Sequence, residues 1–274
     1  DLSCLTDSEF RDLESAWKEF AVLVFPAQHL TNGAHLAFGR RFGRLERGIV
    51  RSAKKRSSSG LLAYIGNLEK DGTIAHPSSL RVRFNSGNEA WHTDSSYKRV
   101  GAKASLLAAH RVPGAGGETE WADMRAAYEA LSTDLQDYLA DKRAVHSYEY
   151  SHAAHGGLEL LTDEELADLP PVEHSVIRVH PETGRKNLFV GRHASHIAGE
   201  EQAGSRALLK QLTETACEAP RSFKHRWQEG DLVLWDNRCV LHRAHKFPLD
   251  QARNMVRVTV AGDDPDNEWA VLEA

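Results

Sequence analysis

The residues of this chain best suited to chemistry are His92 and Asp94 in Trp91-His92-Thr93-Asp94, and His242 at the end of Trp235-Asp236-Asn237-Arg238-Cys239-Val240-Leu241-His242. In an extended strand, residues two apart share a face, so an imidazole nitrogen and a carboxylate oxygen can stand side by side. Two imidazoles and one carboxylate with open coordination positions form the ligand set of a facial-triad ferrous centre. Zinc accepts the same groups, but a structural zinc site needs a fourth protein ligand, and none is evident nearby. H-x-D alone is weak evidence in a chain with 15 histidines, because a carboxylate often does no more than hydrogen-bond a neighbouring imidazole. Downstream, Arg253 and Arg257 lie four apart in what reads as a strand, so both guanidinium groups face one side. Buried without anions they would be costly.

Those groups need a frame. Thr6-Asp7-Ser8-Glu9 is a capping box ahead of Phe10, Leu13, Trp17 and Phe20, whose spacing predicts an amphipathic helix with these side chains inward. A strand over Ala21 to Phe25 follows and ends at Pro26, then a short helix from Thr31 with Leu36, Phe38 and Phe42 inward. The basic, serine-rich stretch from Arg44 to Gly60 lacks packing periodicity and reads as a mobile surface loop, with a positively charged lid as the functional alternative. A buried strand is predicted over Ala104 to Val112, with a tight turn at Pro113 to Gly117. Helices follow near Asp123 to Ala130, Ser132 to Ala140 and Glu200 to Cys217. Further strands are predicted at Ala144–Tyr148, Ser175–His180, Asn187–Val190, Asp231–Trp235 and Met255–Ala261. Many short strands without β-α-β alternation predict a mostly β fold, a barrel or sandwich with flanking helices, in one domain over residues 1–274.

Composition narrows the partners. The 34 basic and 39 acidic residues leave a net charge of -5, against the clustered basic excess of a nucleic-acid binder. The longest apolar run, Phe20 to Pro26, is too short to span a bilayer, and no signal peptide precedes it. A cytoplasmic protein acting on a small anionic molecule, without nucleic acid or membrane as partner and assembled as a homo-oligomer, is expected. Three cysteines, far apart and in no C-x-x-C pattern, suggest neither a disulfide framework nor a zinc knuckle.

The chain resembles the taurine dioxygenase and chlorophenoxyacetate dioxygenase family of Fe(II)/2-oxoglutarate enzymes from about Leu2 to Pro265. The resemblance is carried by Gly87-Asn88-Glu89-Ala90-Trp91-His92-Thr93-Asp94, Pro113 to Trp121, Ala126 to Leu131, His180-Pro181-Glu182-Thr183-Gly184-Arg185, and Trp235 to Arg238 leading to His242. It implies a double-stranded β-helix, or jelly-roll, core. The iron ligands would be His92, Asp94 and His242; the 2-oxoglutarate carboxylate would be held by Thr119 and Arg253, and the substrate's anionic group by Arg257. Asn88 falls where the family places a side chain near the substrate, although an asparagine after Gly87 also suits a turn. A dianionic co-substrate chelating iron at one end leaves its distal carboxylate to be anchored, and a charge-assisted arginine contact with a hydroxyl does so in fixed geometry.

The reaction so implied consumes dioxygen, converts 2-oxoglutarate to succinate and carbon dioxide, and hydroxylates a substrate C–H bond, with no catalytic residue beyond the metal ligands. Pro170 to His174, Gly184 to Phe189 and Arg257 to Asp263 resemble the aryloxyalkanoate branch most closely. There, hydroxylation beside an ether oxygen cleaves the ether; an N-acyl or free amino acid substrate would instead give a stable alcohol. Two non-oxygenase readings compete: a zinc hydrolase, and a metal-containing β-barrel that only binds anions. Trp91, Trp121 and Trp235 read as core, Asp236 to Arg238 as a turn network orienting the His242 strand, His110, His180, His193 and His196 as structural or pocket-lining, and Arg81 and Arg83 as solvated charges.

Overall fold

The computed structural model describes residues 1–48, 60–155 and 157–271. Helix α1 (Asp7–Phe20) begins with the predicted capping box: Thr6 accepts from the Glu9 amide while the Glu9 carboxylate accepts from Thr6. Phe10, Leu13 and Trp17 turn inward, but Phe20 does not and is exposed. The reason is local: Ala21 takes a left-handed conformation (φ 61°) that reverses the chain, so β1 (Val22–Phe25) starts one residue later than predicted and Phe20 is left outside. Helix α2 (Asn32–Arg40), capped by Thr31, puts Phe38 against Phe42 in the same core.

A five-stranded antiparallel sheet runs in the order β1, β11 (Leu232–Asp236), β3 (Ala104–Arg111), β13 (Asn254–Val260), β2 (Leu62–Gly66). Strand β3 sits at its centre and is apolar on both faces. Leu106 and Ala108 face α1 and α2, whereas Leu107 and Ala109 face the inner core with Trp121, Trp235 and Met255. Opposite lies a second sheet, β10 (Ser222–His225), β4 (Thr119–Asp123), β12 (Val240–Ala244). A third joins β6 (Val172–Ser175), β5 (Arg143–His146) and β9 (Ala194–Ile197), and β7 (Ile177–Val179) pairs with β8 (Lys186–Leu188). Helices α4 (Met124–Glu129), α5 (Thr133–Leu139) and α8 (Gln202–Ala216) close the far side, with Met124, Leu139 and Leu209 in one cluster. This is a jelly-roll core with flanking helices. No helix among the described residues is long and apolar enough to cross a membrane.

Several predicted elements differ. The strand over Ser175 to His180 is split between β6 and β7 at Val176, whose side chain is wholly buried. Tyr148 does not end a strand but starts α6 (Tyr148–His155). Helices α3 (Leu80–Ser86) and α7 (Asp163–Ala167) and strands β2, β9 and β10 were not predicted, whereas β12 is the expected strand carrying His242. The loop expected from Arg44 is already ordered at its start, because Leu45 and Glu46 are buried and bridge to Val260 and Ala270. The basic 49–59 stretch, on which the lid reading falls, lies outside the described residues.

Candidate active site

His92 and Asp94 are not in a strand as predicted. His92 forms a single bridge to His242, exchanging both backbone hydrogen bonds at 3.0 and 2.7 Å, and Asp94 opens the turn that follows. The consequence anticipated from strand spacing is met by other means: one nitrogen or oxygen from each of His92, Asp94 and His242 lies within 4.8 Å of the others, all buried. The His92 Nδ1 faces the Ala90 carbonyl at 2.8 Å, which fixes the proton there and leaves Nε2 for a metal. His242 Nε2 stands 3.8 Å from an Asp94 oxygen. Burial pushes His242 down to about 4 and His92 well below the ordinary imidazole range. Burial opposes the charge on Asp94, yet Arg257, His242, His92 and Ser105 outweigh it and hold the carboxyl below its ordinary range. Two neutral imidazoles and a carboxylate are the protonation states a divalent metal requires.

Asp94 is gripped from both sides. Arg257 Nη1 donates to Oδ1 at 2.5 Å, and the Ser105 hydroxyl donates to Oδ2 at 2.7 Å. Ser105 accepts in turn from Asn237 Nδ2 at 2.9 Å, and Asn237 Oδ1 accepts from the Trp235 indole at 2.9 Å. The predicted turn network therefore reaches Asp94 as well as the His242 strand. Asp236 anchors that turn, accepting from Arg238 through both carboxylate oxygens and contacting His180 Nε2 at 3.0 Å. His180, Asp236 and Cys239 also cluster closely enough to hold a metal. There, however, the carboxylate is taken by Arg238, and burial pushes the Cys239 thiol well up, so the thiolate a metal needs is disfavoured. Neither His193 nor His196 joins a metal-type group among the described residues.

The residues predicted to anchor anions lie on β4 and on or just before β13. On β4 and β12, Trp121 pairs with His242 and Thr119 with Ala244, so Thr119 is on the His242 face of the pair. Its hydroxyl accepts from the Trp227 indole at 3.0 Å. The irregularity between β13 and β3 skips His110 on β3, so β13 keeps its alternation and Arg253, Met255 and Arg257 share one face. Arg253 is buried with no carboxylate partner among the described residues; one Nη donates to the Gly117 carbonyl at 3.3 Å and its Nε is unpaired. Burial pushes this guanidinium down to about 10. The Nε atoms of Arg253 and Arg257 are buried and unpaired, as donors for a bound dianion would be before it binds. The residues present thus fit Fe(II) and 2-oxoglutarate.

Asn88 sits in a 3-10 turn (Gly87–Glu89), half-buried. Arg81 lies 3.8 Å from Glu69 and Arg83 pairs with Glu159, in keeping with solvated charges. Ser105, Trp227 and Arg192 were missed from the sequence. Ser105 alone left a signal, as a hydroxyl inside an otherwise apolar strand run.

Comparison with known proteins agrees with this geometry. Residues 1–259 match the family described as taurine catabolism dioxygenase TauD, TfdA. The chain is 42% identical over 98% of its length to an (S)-phenoxypropionate/alpha-ketoglutarate-dioxygenase of Sphingobium herbicidovorans, covering 92% of that protein. It is 41% identical over 94% of its length to the alpha-ketoglutarate-dependent 2,4-dichlorophenoxyacetate dioxygenase of Cupriavidus pinatubonensis, covering 91% of it. Among solved structures, AAD-2 in complex with Mn(II) and N-oxalylglycine superposes with a TM-score of 0.88 at 40% identity, over 98% of this chain and 94% of that one. The chain belongs to the taurine catabolism dioxygenase TauD, TfdA family and is an oxidoreductase that uses Fe(II), 2-oxoglutarate (alpha-ketoglutarate) and dioxygen.

Proposed function

We propose that the enzyme hydroxylates an aryloxyalkanoic acid on the carbon between its ether oxygen and its carboxylate. The resulting hemiacetal collapses to a phenol and an oxo acid. Bound Fe(II), with 2-oxoglutarate and dioxygen, supplies the oxidising chemistry that places a hydroxyl on the C–H carbon. The protein's part is position and charge. His92, Asp94 and His242 would hold the metal. Arg253 and Thr119 would anchor the distal carboxylate of 2-oxoglutarate, while Arg257 would hold Asp94 and offer only its remaining donors to the primary substrate, with Asn88 as a further substrate contact. No residue of the chain need act as general acid or base.

The observation that carries this reading is the buried Arg253 guanidinium, unpaired at Nε and without a carboxylate, on the strand face it shares with Arg257 beside the triad. Relatives named for phenoxypropionate and dichlorophenoxyacetate, at about two-fifths identity over nearly the whole chain, support the substrate class. A cytoplasmic site of action is supported by the free thiols of Cys4, Cys217 and Cys239. The reading includes a homo-oligomer, which light scattering would test.

The test is a screen of aryloxyalkanoates, sulfonates and N-acyl amino acids for succinate release coupled to product. Phenol release from an aryloxyalkanoate is expected. Tight coupling with a sulfonate or an amino acid and none with any aryloxyalkanoate would refute the substrate class. Separately, anaerobic Fe(II) and 2-oxoglutarate should give a weak visible charge-transfer band.

A further inference from the structure

One more arginine faces this site. Arg192 is held by its backbone, its amide donating to the Trp91 carbonyl at 2.9 Å, immediately before the ligand His92. Its side chain runs to Gly87, next to Asn88, where Nη1 donates to the carbonyl. Its Nε is buried and unpaired, and no carboxylate pairs with Arg192 among the described residues. A largely buried guanidinium with one neutral acceptor is an anion site awaiting its anion. Arg257, in contrast, has already committed one nitrogen to Asp94 at 2.5 Å.

A wall of rings runs outward from the same place. The His92 ring meets His193 at 6.4 Å, His193 meets Tyr97 at 4.8 Å, and Tyr97 meets Tyr148 at 4.5 Å. Tyr148 continues to His152 at 4.3 Å, on which Phe84 of α3 stacks at 5.2 Å, partly exposed at the surface. Tyr148 is buried and Tyr97 half-buried.

We infer that Arg192 is a specificity-determining residue that takes the carboxylate of the primary substrate, with the ring wall of His193, Tyr97 and Tyr148 receiving its aryl group. Arg257 then serves mainly to position Asp94, and contributes to the acid only through its remaining donors. The inference rests on the reading of the substrate as an aryl acid. It assigns the acid group to a residue outside Arg253 and Arg257.

The test is equilibrium binding to the intact protein loaded with Mn(II) and N-oxalylglycine. The probes are phenoxyacetate, 2,4-dichlorophenoxyacetate and 2-phenoxypropionate, each beside its neutral primary amide. Wild type should prefer at least one acid to its amide by about tenfold or more, as expected for charge-assisted hydrogen bonds. Arg192→Gln should abolish that preference while leaving amide affinity within about threefold, and Arg192→Lys should restore part of it. N-oxalylglycine affinity, which reads the Arg253 site, should be unchanged in both variants. An acid preference that survives Arg192→Gln, or its absence in wild type, would overturn the assignment. A purely structural role would weaken acid and amide alike, which also overturns it. Failure of the substrate reading is seen elsewhere, as no phenol released by wild type from any of the three acids.

Discussion

Replacing Arg253 by methionine should stabilise the empty protein and cripple co-substrate binding, and the opposite signs make the prediction sharp. Burial pushes the guanidinium down to about 10, which corresponds to about 3 kcal/mol. The sign follows from linkage. The folded state binds this proton more weakly than the unfolded chain does, so the charged side chain subtracts from stability at every pH below about 10. Against this stand the hydrogen bond to Gly117 at 3.3 Å and the Phe247 ring 5.4 Å away, together about 1 to 2 kcal/mol. Methionine keeps most of the buried stem, and the Arg253 amide still donates to Asn67 Oδ1 at 2.8 Å. The net gain is about 1 to 2 kcal/mol, or about 2 to 6 °C in Tm for a chain of this size. Loss of two charge-assisted bonds to a carboxylate should weaken N-oxalylglycine by about 100-fold, or about 3 kcal/mol. At a ligand concentration of about 100 Kd the wild type gains about 2.7 kcal/mol, while the variant at the same concentration gains about 0.4 kcal/mol. Thermal melts of Mn(II)-loaded protein, with and without N-oxalylglycine, read both effects at once. A variant that melts lower when empty yet keeps the wild-type ligand shift would refute the assignment of Arg253 as an anion anchor.

Other expectations follow from the same geometry. Ser105→Ala removes one bond to Asp94 and leaves Asn237 Nδ2 unpaired; metal affinity by titration should fall about 10- to 100-fold, with about 1 to 3 kcal/mol lost in denaturant unfolding. His92→Ala or Asp94→Ala should abolish succinate formation and Mn(II) binding while leaving circular dichroism intact, since the His92–His242 bridge is made by backbone. Burial pushes His35 and His174 down to about 4. The unfolded chain therefore takes up protons near 6.5 that the folded state refuses, and stability should fall from about pH 6.5 to 4 by several kcal/mol, then level off for these groups. A stability profile flat across that window would contradict their burial as neutral imidazoles.

The parts of the site legible in sequence were those whose chemistry is local. His92-x-Asp94 and the Arg253/Arg257 spacing could be read because ligand type and alternation survive without knowledge of the fold. Even there the frame was misjudged: a single bridge and a turn, rather than a strand, set the spacing of His92 and Asp94. Family membership, once established, disposes of the zinc hydrolase and the non-enzymatic barrel together. The missed strands β9 and β10 are short and interrupted by histidine, serine or lysine, so pairing partners far away in sequence define them rather than their own residues. Helix α6 was hidden for a similar reason: Tyr148-Glu149-Tyr150 looks like a strand end until the Ser147 hydroxyl accepts from the Tyr150 amide and turns the chain. Arg192 was unreadable because its burial, and so its want of an anion, belongs to tertiary structure alone.

The reciprocal backbone bonds between His92 and His242 also tie the candidate metal site to the folding of distant parts of the chain. Two of the three ligands meet only when the strand late in the chain closes on the segment near its first third, so a nascent polypeptide carrying His92 and Asp94 alone offers a lone imidazole and carboxylate. A complete set of the three candidate ligands therefore requires the closed jelly roll. The candidate metal site is thus a product of the finished fold rather than of any one segment.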